Sequence, residues 1–234
     1  MILTAHQPVY LPWIGLFHKI WLADTFVLFD KVQYLPKEWM NRNYIKTENG
    51  KLLLTVPVLK KGFLHSTVDT LKINNNLDWK RKHFKSIQLA YKKSKYYRDY
   101  IEVVENIYKK DWEYLSDLNS HIIKIFLDIL NIKVKFFKAS DFNFEGKKSN
   151  LVLDMCKKLG AKKYIFGSQG ENYAEKESFF KSNIDIYFQS YKHPTYKQTH
   201  GSFISNLSII DLIFNCGANS LEVLTTNQNN FELK

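Results

Sequence analysis

The first thirty residues constrain the fold more than any other stretch. Ile2-Leu3-Thr4-Ala5 is a short apolar run that breaks at His6-Gln7-Pro8. After Pro12 an amphipathic run begins, with Trp13, Leu16, Phe17, Ile20 and Trp21 at helical spacing. Phe26-Val27-Leu28-Phe29 is a second buried strand ending at Asp30, so Met1 to Asp30 reads as strand, loop, helix, strand. In such a unit the loop leaving the first strand opens onto a helix N-terminus, whose free N–H groups and dipole favour an anion. His6, Gln7 and Tyr10 lie in that loop, where open parallel sheets commonly build a ligand crevice.

The rest of the chain extends this pattern. Lys31 to Arg42 carries too many polar and turn residues for a regular element and is expected as a loop on the His6 side. Asn43–Lys46 and Leu52–Val56 flank Glu48-Asn49-Gly50, a hairpin signal. Val58 to Val68, with Gly62 and His65, is expected as a loop, and Leu71-Lys72-Ile73 as a short strand. Asn74–Asn76 or Asp78 then caps three helices, at about 78–93, 95–110 and 112–130. Val134–Phe137, Tyr164–Phe166 and Ile184–Phe188 read as strands. Between the first two lies a helix capped by Ser149 and stopped by Gly160; a last helix starts at Ser205 or Asn206 and closes at Gly217. The expected fold is α/β, with a largely parallel Rossmann-like sheet, a helical middle section and a β-hairpin. Residues 1–234 form one α/β domain in this reading, with about 75–131 as a helical insertion or cap.

Composition narrows the function classes. The 15% aromatic content over 234 residues fits a folded chain with a ligand pocket. A net charge of +11 raises nucleic acid or an anionic membrane as partners. Of the 34 basic residues, however, only Arg42, Arg81 and Arg98 are arginines, and base readout favours Arg. The excess therefore reads as a solvated Lys surface, the middle-helix clusters Lys80-Arg81-Lys82 and Lys92-Lys93 included, and no specific nucleic-acid binding is expected. Its field still attracts anionic small molecules, nucleotide sugars among them. Cys156 and Cys216 show no metal spacing, so no metal is expected, and both read as core positions. No apolar run approaches the roughly 18 residues of a membrane span, and no signal peptide is recognisable, so the expected location is cytoplasmic, without membrane insertion.

His6 is the first candidate for chemistry, as general base, phosphate binder or carbonyl polariser. The structural alternative is a His that only shapes its turn. Gln7 and Asp30 complete the expected catalytic set, Asp30 because it ends the second strand. Gln33, Asn41 and Arg42 follow that strand, and Arg42 offers a fork for carboxylate or phosphate, with a salt bridge to Asp30 or Glu38 as its alternative. Lys19 is placed on the first helix as an anion contact, whereas His18 falls in the apolar stripe and reads as a core or rim histidine. Gly167-Ser168-Gln169-Gly170 leaves a strand as a phosphate-cradling or oxyanion turn would. His193, Tyr196 and Gln198 form a polar, aromatic loop suited to a sugar or base.

These residues also carry a resemblance. His6-Gln7-Pro8, Tyr10-Leu11-Pro12-Trp13, Gly15, Lys19, Asp24, Asp30, Gln33 and Asn41-Arg42 resemble the opening signature of the WbqC-like family. The likeness runs on through Gly167–Gly170, Tyr173, His193-Pro194, Tyr196, Gln198 and Asn206–Asp211. It implies a role in bacterial O-antigen or capsule biosynthesis, and it adds Trp13 and Tyr173 to the substrate-binding set. The N-terminal unit and Phe29–Tyr34 are similar, more weakly, to the HUP nucleotidyltransferases and pantothenate synthetase, although no HxGH is present. The expected reaction is transfer of a small acyl or aminoacyl group to a nucleotide-linked amino sugar or glycan, with a thioester donor or ATP as co-reactant. An ATP-dependent ligase or nucleotidyltransferase of the HUP type is the alternative, and a basic nucleic-acid-binding or scaffold module the rival class.

Overall fold

The structure, a computed structural model, describes residues 1–59, 66–226 and 228. Gly62 and His65 lie outside the described residues. The elements are β1 (Ile2–His6), α1 (Ile14–Trp21), β2 (Thr25–Leu28), β3 (Arg42–Thr47), β4 (Gly50–Thr55), α2 (Trp79–Tyr91), α3 (Tyr97–Lys109) and α4 (Leu115–Ile129). They continue with β5 (Lys135–Lys138), α5 (Ser149–Leu159), β6 (Lys163–Phe166), α6 (Lys176–Lys181), β7 (Asp185–Phe188), α7 (Ile209–Cys216) and α8 (Ser220–Thr225).

Five strands form one sheet in the order β5-β2-β1-β6-β7, with every neighbouring pair parallel. The chain builds outward from β1 through β2 to β5, then returns to the other side of β1 for β6 and β7. The β1/β6 boundary is therefore a topological switch point, where the connections on either side diverge and leave a crevice at the carboxyl ends of the strands. The strands alternate between two apolar layers, as their pleat requires. Leu3, Ala5, Val27, Tyr164 and Phe166 pack with Val152, Met155, Cys156 and Phe179 of α5 and α6. Phe26 and Leu28 face the other side, with α1, α4 and α7.

The hairpin forms on a two-residue turn: Thr47 pairs with Gly50 across Glu48-Asn49, and Gly50 takes a φ of +97° that suits its missing side chain. Gly160 ends α5 in the left-handed conformation, as expected from its position. Three local expectations are corrected. Leu71–Ile73 makes only isolated bridges, Lys72 to Tyr114 and Ile73 to Val58, because its neighbours are irregular loops that offer no continuous ladder. The side-chain cap of α7 is Ser208, whose hydroxyl accepts from Ile210 N–H, two residues beyond the expected Asn206. Ser149 is the first residue of α5 and does not cap it; its hydroxyl instead accepts from Glu175 N–H.

Candidate ligand cleft at the switch point

Leu11, in the loop that leaves β1, is buried in a left-handed conformation with φ +44°. Its carbonyl accepts from the Asn43 side chain at 2.7 Å, which helps to hold a backbone state unusual for a branched residue. Trp13 then lies across α1 so closely that a Cβ on Gly15 would fall 2.2 Å from its ring. Gly15 is therefore required by packing. The turn thus fixes Trp13 as one wall of a cleft of about 930 Å³ at the carboxyl ends of β1, β6 and β7.

His6, Gln7, Trp13 and Lys19 line this cleft, and Gly167, Ser168, Gln169 and Tyr173 face it from the β6 side. His6 Nδ1 lies 2.8 Å from the Gln7 carbonyl. A carbonyl oxygen only accepts, so Nδ1 carries the proton and Nε2 keeps its lone pair. Burial, the Lys19 charge beside it and the opposing Gln7 bond together set the His6 pKa down at about 3. Lys19 is 3% exposed, and its Nζ donates to the Ala5 carbonyl at 2.9 Å. Burial lowers its pKa from 10.5 to about 7. Among the described residues no carboxylate forms an ion pair with it. Gly167 leaves the way to it open: even a Cβ there would stand 3.9 Å from Lys19 Nζ.

The other sequence candidates sit elsewhere. The Asp30 carboxylate accepts from Ser140 N–H and from the hydroxyls of Ser140 and Ser116, at 2.9, 2.7 and 3.1 Å. It ties the turn after β5 to the start of α4 and does not line the cleft. Tyr10 is fully buried on the helical side, bonded to His83 and Tyr108. Asn41 donates to the Val56 carbonyl, and Gln33 bridges to Thr67. Arg42 opens β3 and lies over Trp39, 5.9 Å from the ring centre, instead of pairing with Asp30 or Glu38. Tyr196 and Gln198 both donate to Asp211, while His193 packs among Tyr191, Tyr196 and Phe203.

Sequence reading missed Gln189 and Ser190, which follow β7 and, with Tyr191 of the aromatic loop, complete that side of the cleft. Gln189 donates to the Gly15 carbonyl and to His18 Nδ1, both at 2.9 Å, which joins β7 to α1. His18 is buried, and its Nε2 has no protein partner among the described residues. The missed signal is positional: Gln189 follows its strand directly, as Gln7 follows His6 at the end of β1. Glu38 and Lys148 also reach the cleft, from loops without a motif. Among the described residues no group of three or more His, Cys, Asp or Glu side chains is placed to hold a metal ion, and no helix is long and apolar enough to cross a membrane. The thiols of Cys156 and Cys216 are pushed up by burial, to about 12 and about 11.

Strand order and cleft define the class, an α/β protein with a polar crevice at the switch point of a parallel sheet. The model of the WbqC-like protein family matches residues 7–223, and the chain belongs to that family. It is also similar to an uncharacterized protein of Mycobacterium tuberculosis, Rv1507c, at 29% identity over 220 residues that cover 93% of this chain and 95% of that protein. No solved structure matches the chain.

Proposed function

We propose that this protein is a cytoplasmic enzyme of surface-polysaccharide biosynthesis that transfers a small acyl or aminoacyl group to a nucleotide-linked amino sugar or glycan. The observation that carries the reading is Lys19, a buried amine with no carboxylate partner among the described residues, at the switch point beside His6. A buried charge in that position is stabilised by an anion brought by the ligand. The cleft volume, about 930 Å³, suits a molecule as large as a nucleotide sugar. Trp13 and Tyr191, packed edge to face at 5.6 Å, supply an aromatic wall for a base or sugar ring.

In this reading residues 1–234 work as one α/β domain. His6 Nε2 takes the proton from the attacking amine or hydroxyl and gives it to the thiolate that leaves when the C–S bond of a thioester donor breaks. The Gln7 side-chain amide and N–H groups of the Gly167–Gln169 turn stabilise the oxyanion that develops on the donor carbonyl. Lys19 holds the phosphate. Asp30, Tyr10 and Arg42 leave the site and serve the fold. The second reading, nucleotidyl transfer or ATP-dependent ligation, is favoured by one observation: counted in chain order within the sheet, the strands run 3-2-1-4-5, an order built on the same switch-point logic as dinucleotide-binding folds. Incubation with nucleotide-linked amino sugars and thioester donors, with and without ATP, separates them by product mass. An acylated product without ATP supports transfer; strict ATP dependence with release of AMP or pyrophosphate supports the ligase. The basic binding module would instead lose a salt-dependent nucleic-acid complex when Lys80, Lys82 and Lys92 are changed to Glu.

A further inference from the structure

Gln189 follows β7 directly, and its backbone N–H donates to the Phe166 carbonyl at 2.9 Å, which carries the β6–β7 pairing one residue past the strand. Phe188 stacks on Phe166 in the layer of α5 and α6, so the pleat turns the Gln189 side chain to the α1 side. There Nε2 lies 2.9 Å from the Gly15 carbonyl and 2.9 Å from His18 Nδ1. A carbonyl only accepts, so the atom that faces Gly15 is the amide nitrogen; the reverse orientation would set two carbonyl oxygens against each other. The second hydrogen of the same NH2 goes to His18 Nδ1, which burial keeps unprotonated. Both donors of the amide are thus spent on α1, and the amide cannot turn over.

The carbonyl end differs. Gln189 Oε1 accepts from no group among the described residues. Unlike the unpartnered Asn41 Oδ1 and Asn119 Oδ1, it is not sealed inside the protein. Gln189 is 7% exposed and lines the cleft, so this oxygen opens there. It stands at the aromatic wall, because Trp13 rests on Gly15 and Tyr191 lies two residues beyond Gln189. Lys19 is one helical turn beyond Gly15 on the same face of α1.

We propose that Gln189 sets the base specificity of this cleft: its locked carbonyl accepts the ring N–H of an imide-type pyrimidine, uracil or thymine, seated against Trp13 and Tyr191. This deepens the nucleotide-sugar reading and rests on it. With its NH2 committed to α1, the amide offers an acceptor alone. A ring that presents N–H satisfies it, whereas a ring with a methyl group or a lone pair at that position leaves it desolvated and unpaired.

The test is calorimetric titration of the full chain with uridine diphosphate, with 5-methyluridine diphosphate, which keeps the N3–H, and with 3-methyluridine diphosphate, which lacks it. The expected result is similar affinity for the first two and a loss of about tenfold or more for the third. The N3 proton of bound uridine diphosphate should also be protected from exchange with solvent. In Gln189→Leu, checked for folding by circular dichroism, the preference for uridine over 3-methyluridine diphosphate should fall below about threefold. Equal binding of these two ligands by the wild type, a freely exchanging N3 proton, or an undiminished preference in the folded variant overturns the assignment and leaves the cleft as a nucleotide site. Failure of the folded wild-type protein to bind any of the three overturns this inference and the nucleotide-sugar reading together.

Discussion

Among the described residues two lysines are buried, and their surroundings differ. Lys46, on β3, donates to Gln198 Oε1 at 3.0 Å and to the Ser202 carbonyl at 2.6 Å. The negative charge of Asp211 lies close enough to oppose the lowering of its pKa by burial. Asp211 accepts from Tyr91, Tyr196 and Gln198 at 3.1, 2.8 and 2.7 Å. This cluster clamps the loop after β7 onto α7 and the hairpin. Among the described residues Lys19 has one carbonyl, no carboxylate and an open cleft in front of it. Both side chains are nearly inaccessible, so burial alone does not separate structure from function. The separation lies in how completely the protein satisfies the charge, because a buried ion with protein partners supports the fold while one without them awaits a ligand.

The largest expected effect is on catalysis. His6→Ala should lower kcat by about 10² to 10⁴ once the acceptor is known, with the melting temperature nearly unchanged. An equal loss from Asp211→Ala in protein that remains folded would erase the contrast between the regions. Asp211→Ala should instead cost about 3 kcal/mol of stability in a denaturant titration, since the Tyr91, Tyr196 and Gln198 donors lose their acceptor. Lys19→Met should do the opposite, raising stability at pH 6 by about 2 kcal/mol while weakening uridine diphosphate binding about tenfold or more. The sign with pH follows from proton counts. Between a folded pKa of about 7 and the ordinary 10.5, the unfolded chain binds more protons at Lys19, so the wild type gains stability as pH rises. The advantage of Lys19→Met should therefore shrink from about pH 7, be gone at about pH 8.5 and reverse above that, as read by melting at each pH. The smallest expected effect is Tyr10→Phe, about 1 kcal/mol from the lost bonds to His83 and Tyr108, with unchanged uridine diphosphate affinity. A specific loss of binding there would extend the site into the helical core.

What could be read from sequence was local. The β1-loop-α1-β2 unit, the Glu48-Asn49 turn before Gly50 and the Gly160 stop each depend on residues within a few positions of one another. The same holds for the cleft residues that directly follow strands, His6 and Gly167 to Gln169, because the polarity of a parallel sheet sends every strand end to one side. Asp30, Tyr196 and Gln198 also follow strands or lie in polar loops, yet their side chains turn to partners far along the chain. Asp30 meets Ser140 across 110 positions, and Gln189 meets Gly15 across 174. Such pairings are decided by tertiary packing, and nothing in residue type distinguishes a carboxylate that meets a substrate from one that meets two serines. Lys19 and Lys46 illustrate the same limit, since their contrasting partners emerge only when the chain is folded.

The most direct test follows the Cε resonances of these two lysines through a pH titration of selectively labelled protein, with and without uridine diphosphate. Lys19 should titrate near 7 in the free protein and move upward when the nucleotide binds, while Lys46 stays unmoved by the nucleotide. A Lys19 that titrates near 10.5 and ignores the nucleotide would contradict its assignment as the ligand-seeking charge of the cleft.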